Sequence, residues 1–193
     1  MTLIDRLYEL HEARGIANML TDRILDLRSA AAVKRYHTVP TIGESQSVST
    51  HSYGIAMILL RLWPLACTVR LLQAALEHDL PEGATGDIPA PAKWASPALV
   101  VALDELEARE HGRLGTGQAE ADLDEMEVMM LRAADMLDLV FYCYEQRCMG
   151  NQMLAPVFYR GVGYLRTMAP LEKRIHAPVT AIISELEERY RSL

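Results

Sequence analysis

At 193 residues, half of them apolar, 23% charged and only 6% aromatic, the chain is long enough for one domain with a substantial core. Leu, Ala, Met and Glu lose little rotamer freedom in a helix, and their abundance predicts an all-α fold. The balance of 19 basic against 26 acidic residues, net −7 with no dense basic tract, excludes a protein that tracks a nucleic acid polymer, though not one that binds a single nucleotide.

The first segment, Leu3 to Leu27, sets Leu3, Leu7, Leu10, Ile16, Met19, Leu20 and Ile24 near helical spacing, with Gly15 as a candidate break. Its charges leave no signal-peptide core, and nowhere is there an apolar run long enough to cross a bilayer. The expectation is a soluble, cytoplasmic protein without a membrane partner, in host cytoplasm if the chain is phage-encoded. Basic Ala30–His37 and the turn-rich TVPTIGESQSVST follow; Ser49 and Thr50 are then candidate N-caps for the helix HSYGIAMILLRLW.

Pro64 sits near the start of a second helical run, LACTVRLLQAALEHD, which Pro81 ends. Between Pro81 and Pro97 four prolines and two glycines mark a structured loop. Helical periodicity resumes over Ala98–Glu110, Gly112, Gly115 and Gly117 mark a turn, and a long helix runs from Ala119 to Arg147 with Gly150–Asn151 as its stop. One or two closing helices complete the chain. Cys67 and Cys143, in apolar helical stretches, read as small core hydrophobes.

His78–Asp79 stands where a helix ends and the backbone turns, so the two side chains can converge on one ion. An imidazole nitrogen beside a carboxylate oxygen suits a divalent transition metal, Co, Mn or Zn, with Mg compatible at a second site. An HD dipeptide alone is weak evidence, since a surface His beside a capping Asp is the commoner case. His51 strengthens it: the 27 residues from His51 to His78 amount to one helix out and one back, at about 1.5 Å per residue, which returns His78 to His51. Asp135, in the apolar stretch VMMLRAADMLDLVFY, is a costly core carboxylate unless it meets a cation. Asp138, one turn on, is its rival, and either could instead lie on an exposed stripe. Glu82 could act as general base or acid. Asp87 and Lys93 share its loop, and Arg35 could clamp phosphate, although a surface role is the simpler reading for each cation.

These pieces together resemble the HD-domain phosphohydrolases of the 5′-deoxynucleotidase-like branch, which includes the phage dATP triphosphohydrolases. The motifs are Arg35–Tyr36, Thr50–His51–Ser52, His78–Asp79, the run Thr85–Gly86–Asp87–Ile88–Pro89–Ala90–Pro91–Ala92–Lys93, Ala134–Asp135 and Gly150–Asn151, and the match covers residues 33 to 155. The resemblance implies a single HD-domain helical bundle over residues 1–193: an N-terminal helical extension over 1–30, the motif-bearing core over 33–155 and closing helices over 156–193. It implies His51, His78, Asp79 and Asp135 as metal ligands, settling Asp135 over Asp138. Arg35 and Lys93 would contact phosphate, Glu82 and Asp87 would handle protons and water, Tyr36 would close on the sugar and Pro91 would line the base pocket. The implied function is a triphosphohydrolase of the dATP type releasing deoxynucleoside and triphosphate. The alternatives are a 5′-deoxynucleotidase acting on monophosphates and a non-catalytic nucleotide-binding protein. The implied partners are a small nucleotide and further copies of the chain, as a dimer or hexamer.

Overall fold

The computed structural model describes residues 3–168 and 173–193, with side chains from residue 12 onward. Among these residues the structure is helical, with one isolated antiparallel bridge between Lys34 and Ser47. The helices are α1 (Leu3–Ala30), α2 (Val48–Leu62), α3 (Val69–Glu77), α4 (Glu82–Thr85), α5 (Ala90–Ala95), α6 (Pro97–Leu114), α7 (Gln118–Ala121), α8 (Glu125–Cys148), α9 (Ala155–Met168) and α10 (Lys173–Ser192). No described helix is long and apolar enough to cross a membrane.

The centre of the molecule is α8, against which α2, α3, α9 and α10 pack. Ile55 and Leu59 of α2, Leu71 of α3, Leu137 and Val140 of α8, Phe158 of α9 and Ile183 of α10 are all buried in one core. Each such side chain contributes about 1.5–3 kcal/mol through the apolar area it removes from water. Cys143 lies fully inside this core and Cys67 is half-buried at its edge.

Several boundaries differ from those read off the sequence, each for a local reason. Gly15 does not interrupt α1. The N-cap of α2 is Ser47, whose hydroxyl accepts from Thr50 N–H; Ser49 and Thr50 are already within the first turn. Backbone pairing of Val48 N–H with the Val33 carbonyl, at 2.9 Å, fixes that start. Pro64–Ala66 form a turn, and α3 begins only after Thr68, whose hydroxyl caps Leu71 N–H. The long helix starts at Glu125, not near Ala119, because Asp124 and Glu127 form a reciprocal capping box. The proline-rich tract holds the two short helices α4 and α5.

The final turns of α1 bring Leu27 and Ala30 against Leu80 and Leu114 in a small separate cluster. Its earlier apolar positions behave otherwise: Ile16, Met19, Leu20 and Ile24 are exposed, and Leu3, Leu7 and Leu10 lie outside the described side chains. The segment from His37 to Gln46 is fastened to the end of α8. Gln146 donates to the Ile42 carbonyl (3.0 Å) and accepts from Ile42 N–H (2.8 Å), while Asn151 donates to the Pro40 carbonyl (2.9 Å).

Candidate metal centre

His51 occupies the first turn of α2, and His78 is the C-cap residue of α3. Because α2 and α3 pack side by side in opposite directions, these ends meet, with ring centroids 5.5 Å apart. Asp79 follows in the turn before Pro81, and Asp135 comes from the middle of α8. One donor atom from each of His51, His78 and Asp135 can be chosen so that all lie within 4.8 Å of one another, as an ion requires. Asp79 lies beside this group but is not one of its members: its Oδ1 is 3.4 Å from His78 Nε2 and its Oδ2 3.4 Å from His51 Nε2, and the same Oδ2 pairs with Arg35. Asp135 Oδ1 is 3.1 Å from His51 Nε2. Asp135 is also the most exposed of the four, at 40% of its side chain, so the cluster is open on its side.

Orphaned polar atoms test whether these residues suit an ion. Nε2 of His51 and Nε2 of His78 are both buried, and neither has a hydrogen-bond partner of acceptable geometry. The opposite nitrogen of each ring is engaged: His51 Nδ1 lies 2.7 Å from Asp138 Oδ2, and His78 Nδ1 lies 3.1 Å from the Ala75 carbonyl. With the proton on Nδ1 in both rings, two Nε2 lone pairs face the same space. Two nitrogens and the Asp135 carboxylate, with the Asp79 carboxylate alongside and one side open, fit a divalent transition ion in a catalytic site.

Charge reinforces this. Burial of His51 disfavours its imidazolium, but the carboxylates of Asp135, Asp138 and Asp79 outweigh burial and push its pKa up to about 11. The cluster thus favours positive charge at Nε2, supplied by a proton or, in exchange for it, a metal ion. Asp79 is half-buried, which opposes its ionisation, yet His78, His51 and Arg35 hold its carboxyl well below the usual range. Burial likewise opposes ionisation of Asp135, and His51 more than compensates.

Arg35 closes on Asp79 as an ion pair, its guanidinium also lying 5.9 Å from the Tyr36 ring. Its backbone N–H donates to the Gln46 carbonyl at 2.8 Å. Tyr36 has a left-handed backbone (φ 61°), an uncommon conformation for a bulky residue, held by donation from its N–H to Asp87 Oδ2 at 3.0 Å. Its ring stacks on Tyr142 of α8. Glu82 opens α4, buried, with Oε2 unpartnered. Burial, then the nearby charge of Asp79, push its pKa up to about 8. Lys93 is half-buried on α5, whereas Pro91 is exposed on the same helix and makes no described contact with the cluster.

The profile of the YfbR-like 5′-deoxynucleotidase family matches residues 26–175. The chain belongs to this family. Its relatives include the dATP triphosphohydrolase of Salmonella phage PMBT28, 34% identical in a 167-position alignment that covers 79% of this chain and 83% of the relative. A dATP triphosphohydrolase of Acinetobacter phage SH-Ab 15497 is 28% identical in a 139-position alignment that covers 63% of this chain and 66% of that one. Among solved structures, an HD-domain phosphohydrolase of Listeria innocua superposes with a TM-score of 0.68 at 19% identity, covering 90% of each chain. The HD phosphohydrolase of cyanophage S-2L, bound to dA and one catalytic Zn2+ ion, gives 0.63 at 17% identity, covering 88% of this chain and 96% of that one. These two likenesses establish the helical fold. The family likewise sustains the enzymatic, metal-dependent reading of the sequence.

Residues that sequence reasoning assigns no supporting role, Asp138 entering it only as a rival ligand, surround the YfbR-like centre. Asp138 is buried, neither on an exposed stripe nor among the group facing the shared space, and it grips the far side of His51. Gln46 donates to the same Asp138 Oδ2 at 2.8 Å. Gly54 and Tyr142 also belong here. A signal existed for two of them: Asp138 is three residues beyond Asp135, and Gly54 three beyond His51, so each shares a helix face with a candidate ligand.

Proposed function

We propose that the chain hydrolyses 2′-deoxynucleoside triphosphates of the dATP type, releasing the deoxynucleoside and triphosphate, at a divalent ion held by His51, His78, Asp79 and Asp135. The observation that carries this reading is the pair of orphaned, buried Nε2 atoms aimed beside two carboxylates and next to the Arg35 guanidinium. The dATP triphosphohydrolases among the relatives support the choice of substrate. A bound transition ion supplies Lewis-acid polarisation of a phosphoryl oxygen and of water.

The chain's own residues then divide the remaining work. Arg35 and Lys93 neutralise phosphate oxygens, Arg35 as a planar fork suited to two of them at once. In the reaction a water oxygen bonds to the α-phosphorus and the bond from phosphorus to the sugar O5′ breaks. The departing O5′ needs a proton. Glu82, with its carboxyl pushed up to about 8, carries one at neutral pH and donates it. Asp87 fixes Tyr36 by accepting from its backbone N–H and orders water at the same edge. Tyr36, braced by Tyr142, closes on the sugar where a 2′-hydroxyl would stand. Pro91 lines the base side.

The family's description favours a second reading, removal of phosphate from deoxynucleoside 5′-monophosphates by the same residues. A panel of dNTPs, dNMPs and their ribose counterparts, offered with Mn2+, Co2+, Zn2+ or Mg2+ and with products resolved as phosphate, pyrophosphate or triphosphate, separates the two. Triphosphate from dNTPs is expected; no turnover of any nucleotide with any ion sinks both. The reading further places the enzyme in the cytoplasm as a homo-oligomer, dimer or hexamer. The exposed Ile16, Met19, Leu20 and Ile24 of α1 support self-association, and light scattering tests it.

A further inference from the structure

We propose that Asp138 is the positioning residue of the metal centre, fixing His51 in the orientation and tautomer that present Nε2 to the ion, and that Gln46 and Gly54 exist to hold Asp138 there. The inference rests on the reading of His51 as a ligand and extends it to residues that touch neither ion nor substrate.

Three independent features converge. His51 is wholly buried and its Nδ1 lies 2.7 Å from Asp138 Oδ2, the only contact of that nitrogen among the described residues. A buried carboxylate accepting from one imidazole nitrogen fixes the proton on that nitrogen, makes the other a stronger donor to an ion and prevents the ring from rotating. Second, the same Oδ2 accepts from Gln46 Nε2 at 2.8 Å, so Asp138 is held on two sides. Gln46 is itself buried, and its backbone carbonyl accepts from Arg35 N–H. One residue therefore ties the support of His51 to the segment carrying Arg35 and Tyr36.

Third, the room for Asp138 is made by the absence of a side chain. Gly54 lies on α2 one turn beyond His51, and a Cβ built there would stand 1.9 Å from Asp138 Oδ1 and 2.9 Å from its Cγ. No contact that short is tolerable, so any larger residue at 54 would expel the carboxylate from its place against His51. The glycine has an ordinary helical backbone, and its conformational freedom is not what the position requires. Ordinary core packing would not explain a carboxylate here, because an unpaired buried charge costs several kcal/mol. Its position beside the fully enclosed imidazole of His51 explains it.

The test uses the full chain stripped of metal and titrated with Co2+, followed by visible absorption, which reads both affinity and coordination geometry. Asp138→Asn, of nearly equal volume, is expected to weaken Co2+ binding about 10- to 100-fold and alter the spectrum. Gly54→Ala should reproduce that loss by displacing the carboxylate. Circular dichroism and melting of the metal-free variants show whether they remain folded. His51→Ala supplies the reference, because in that background Asp138→Asn should weaken Co2+ no further. An equal additional loss there would reduce Asp138 to a structural role and overturn the proposal. Wild-type Co2+ affinity in Asp138→Asn, with His51→Ala impaired, would overturn it alone. Wild-type affinity in His51→Ala would instead remove the ligand reading on which it stands.

Discussion

The rings of Tyr36 and Tyr142 stack with centroids 4.5 Å apart and planes 13° from parallel. This pairing braces a residue whose backbone is already in an unfavourable left-handed conformation, so under the proposed function Tyr36 would meet the sugar pre-set. An aromatic pair contributes about 0.5–1.5 kcal/mol beyond its buried area, or roughly 2- to 10-fold in a rate ratio. Tyr142→Ala is expected to lower the preference for deoxy- over ribonucleotides by that factor, read as the ratio of kcat/KM for dATP and ATP, while Tyr142→Phe keeps it. An unchanged ratio in Tyr142→Ala would show that the stack does not shape the sugar pocket.

Loss of a ligand should be visible in stability as well as in rate. An ion present at 100 times its Kd stabilises the folded chain by about 2.7 kcal/mol, which for a protein of this size raises Tm by roughly 5–10 °C. Asp135→Ala is expected to abolish activity and to eliminate this shift, and chelation should return the wild type to its metal-free Tm. A normal metal-induced shift in Asp135→Ala would place the ion elsewhere.

Glu82 gives a pH signature. Burial, followed by the charge of Asp79, raises its carboxyl from the ordinary value of 4.5 to about 8. A raised acid holds its proton more tightly in the folded state, so its contribution is fully present below the unfolded value and is lost as pH rises toward 8. For the metal-free protein, the stability of wild type relative to Glu82→Gln should therefore fall between pH 4.5 and pH 8 and level off above that, by urea denaturation at fixed pH. A relative stability that climbs over that interval contradicts the assignment. Turnover by Glu82→Gln should be lower by about 10²- to 10⁴-fold, the usual contribution of a positioned proton donor.

Lys93 separates the two substrates. A lone cation that meets outer phosphates matters more for a triphosphate than for a monophosphate. Lys93→Ala should raise KM for dATP more than for dAMP and should make dATP turnover less sensitive to salt. Equal effects on both nucleotides would place Lys93 at the phosphate they share.

Much of the centre was legible in the sequence because it depends on helix ends. His78–Asp79 before Pro81, and His51 one helix out and back, constrain geometry through chain length alone. The place of Asp138 was not legible, because the sequence offers it only as a rival ligand one turn from Asp135; the packing of α2 on α8 is what sets it against His51. The start of α2 was misplaced for a similar reason. Ser47, Ser49 and Thr50 can all cap, and the pairing of Val48 with Val33 decides among them. The start of α8, by contrast, could have been found, since Asp124 and Glu127 stand at capping-box spacing. The stripe on α1 followed helical spacing, but spacing does not say which surface covers it.

The fastening of Ile42 and Pro40 by Gln146 and Asn151 also makes sense of a motif that never approaches the reacting atoms. Those bonds tie the last turn of α8 and the loop just after it to the stretch between Tyr36 and Gln46, so the segment proposed to meet the nucleotide is stitched to the central helix of the bundle. Under the proposed function, damage at Asn151 would therefore masquerade as a substrate-recognition defect, loosening the Tyr36 segment while metal affinity stays unchanged.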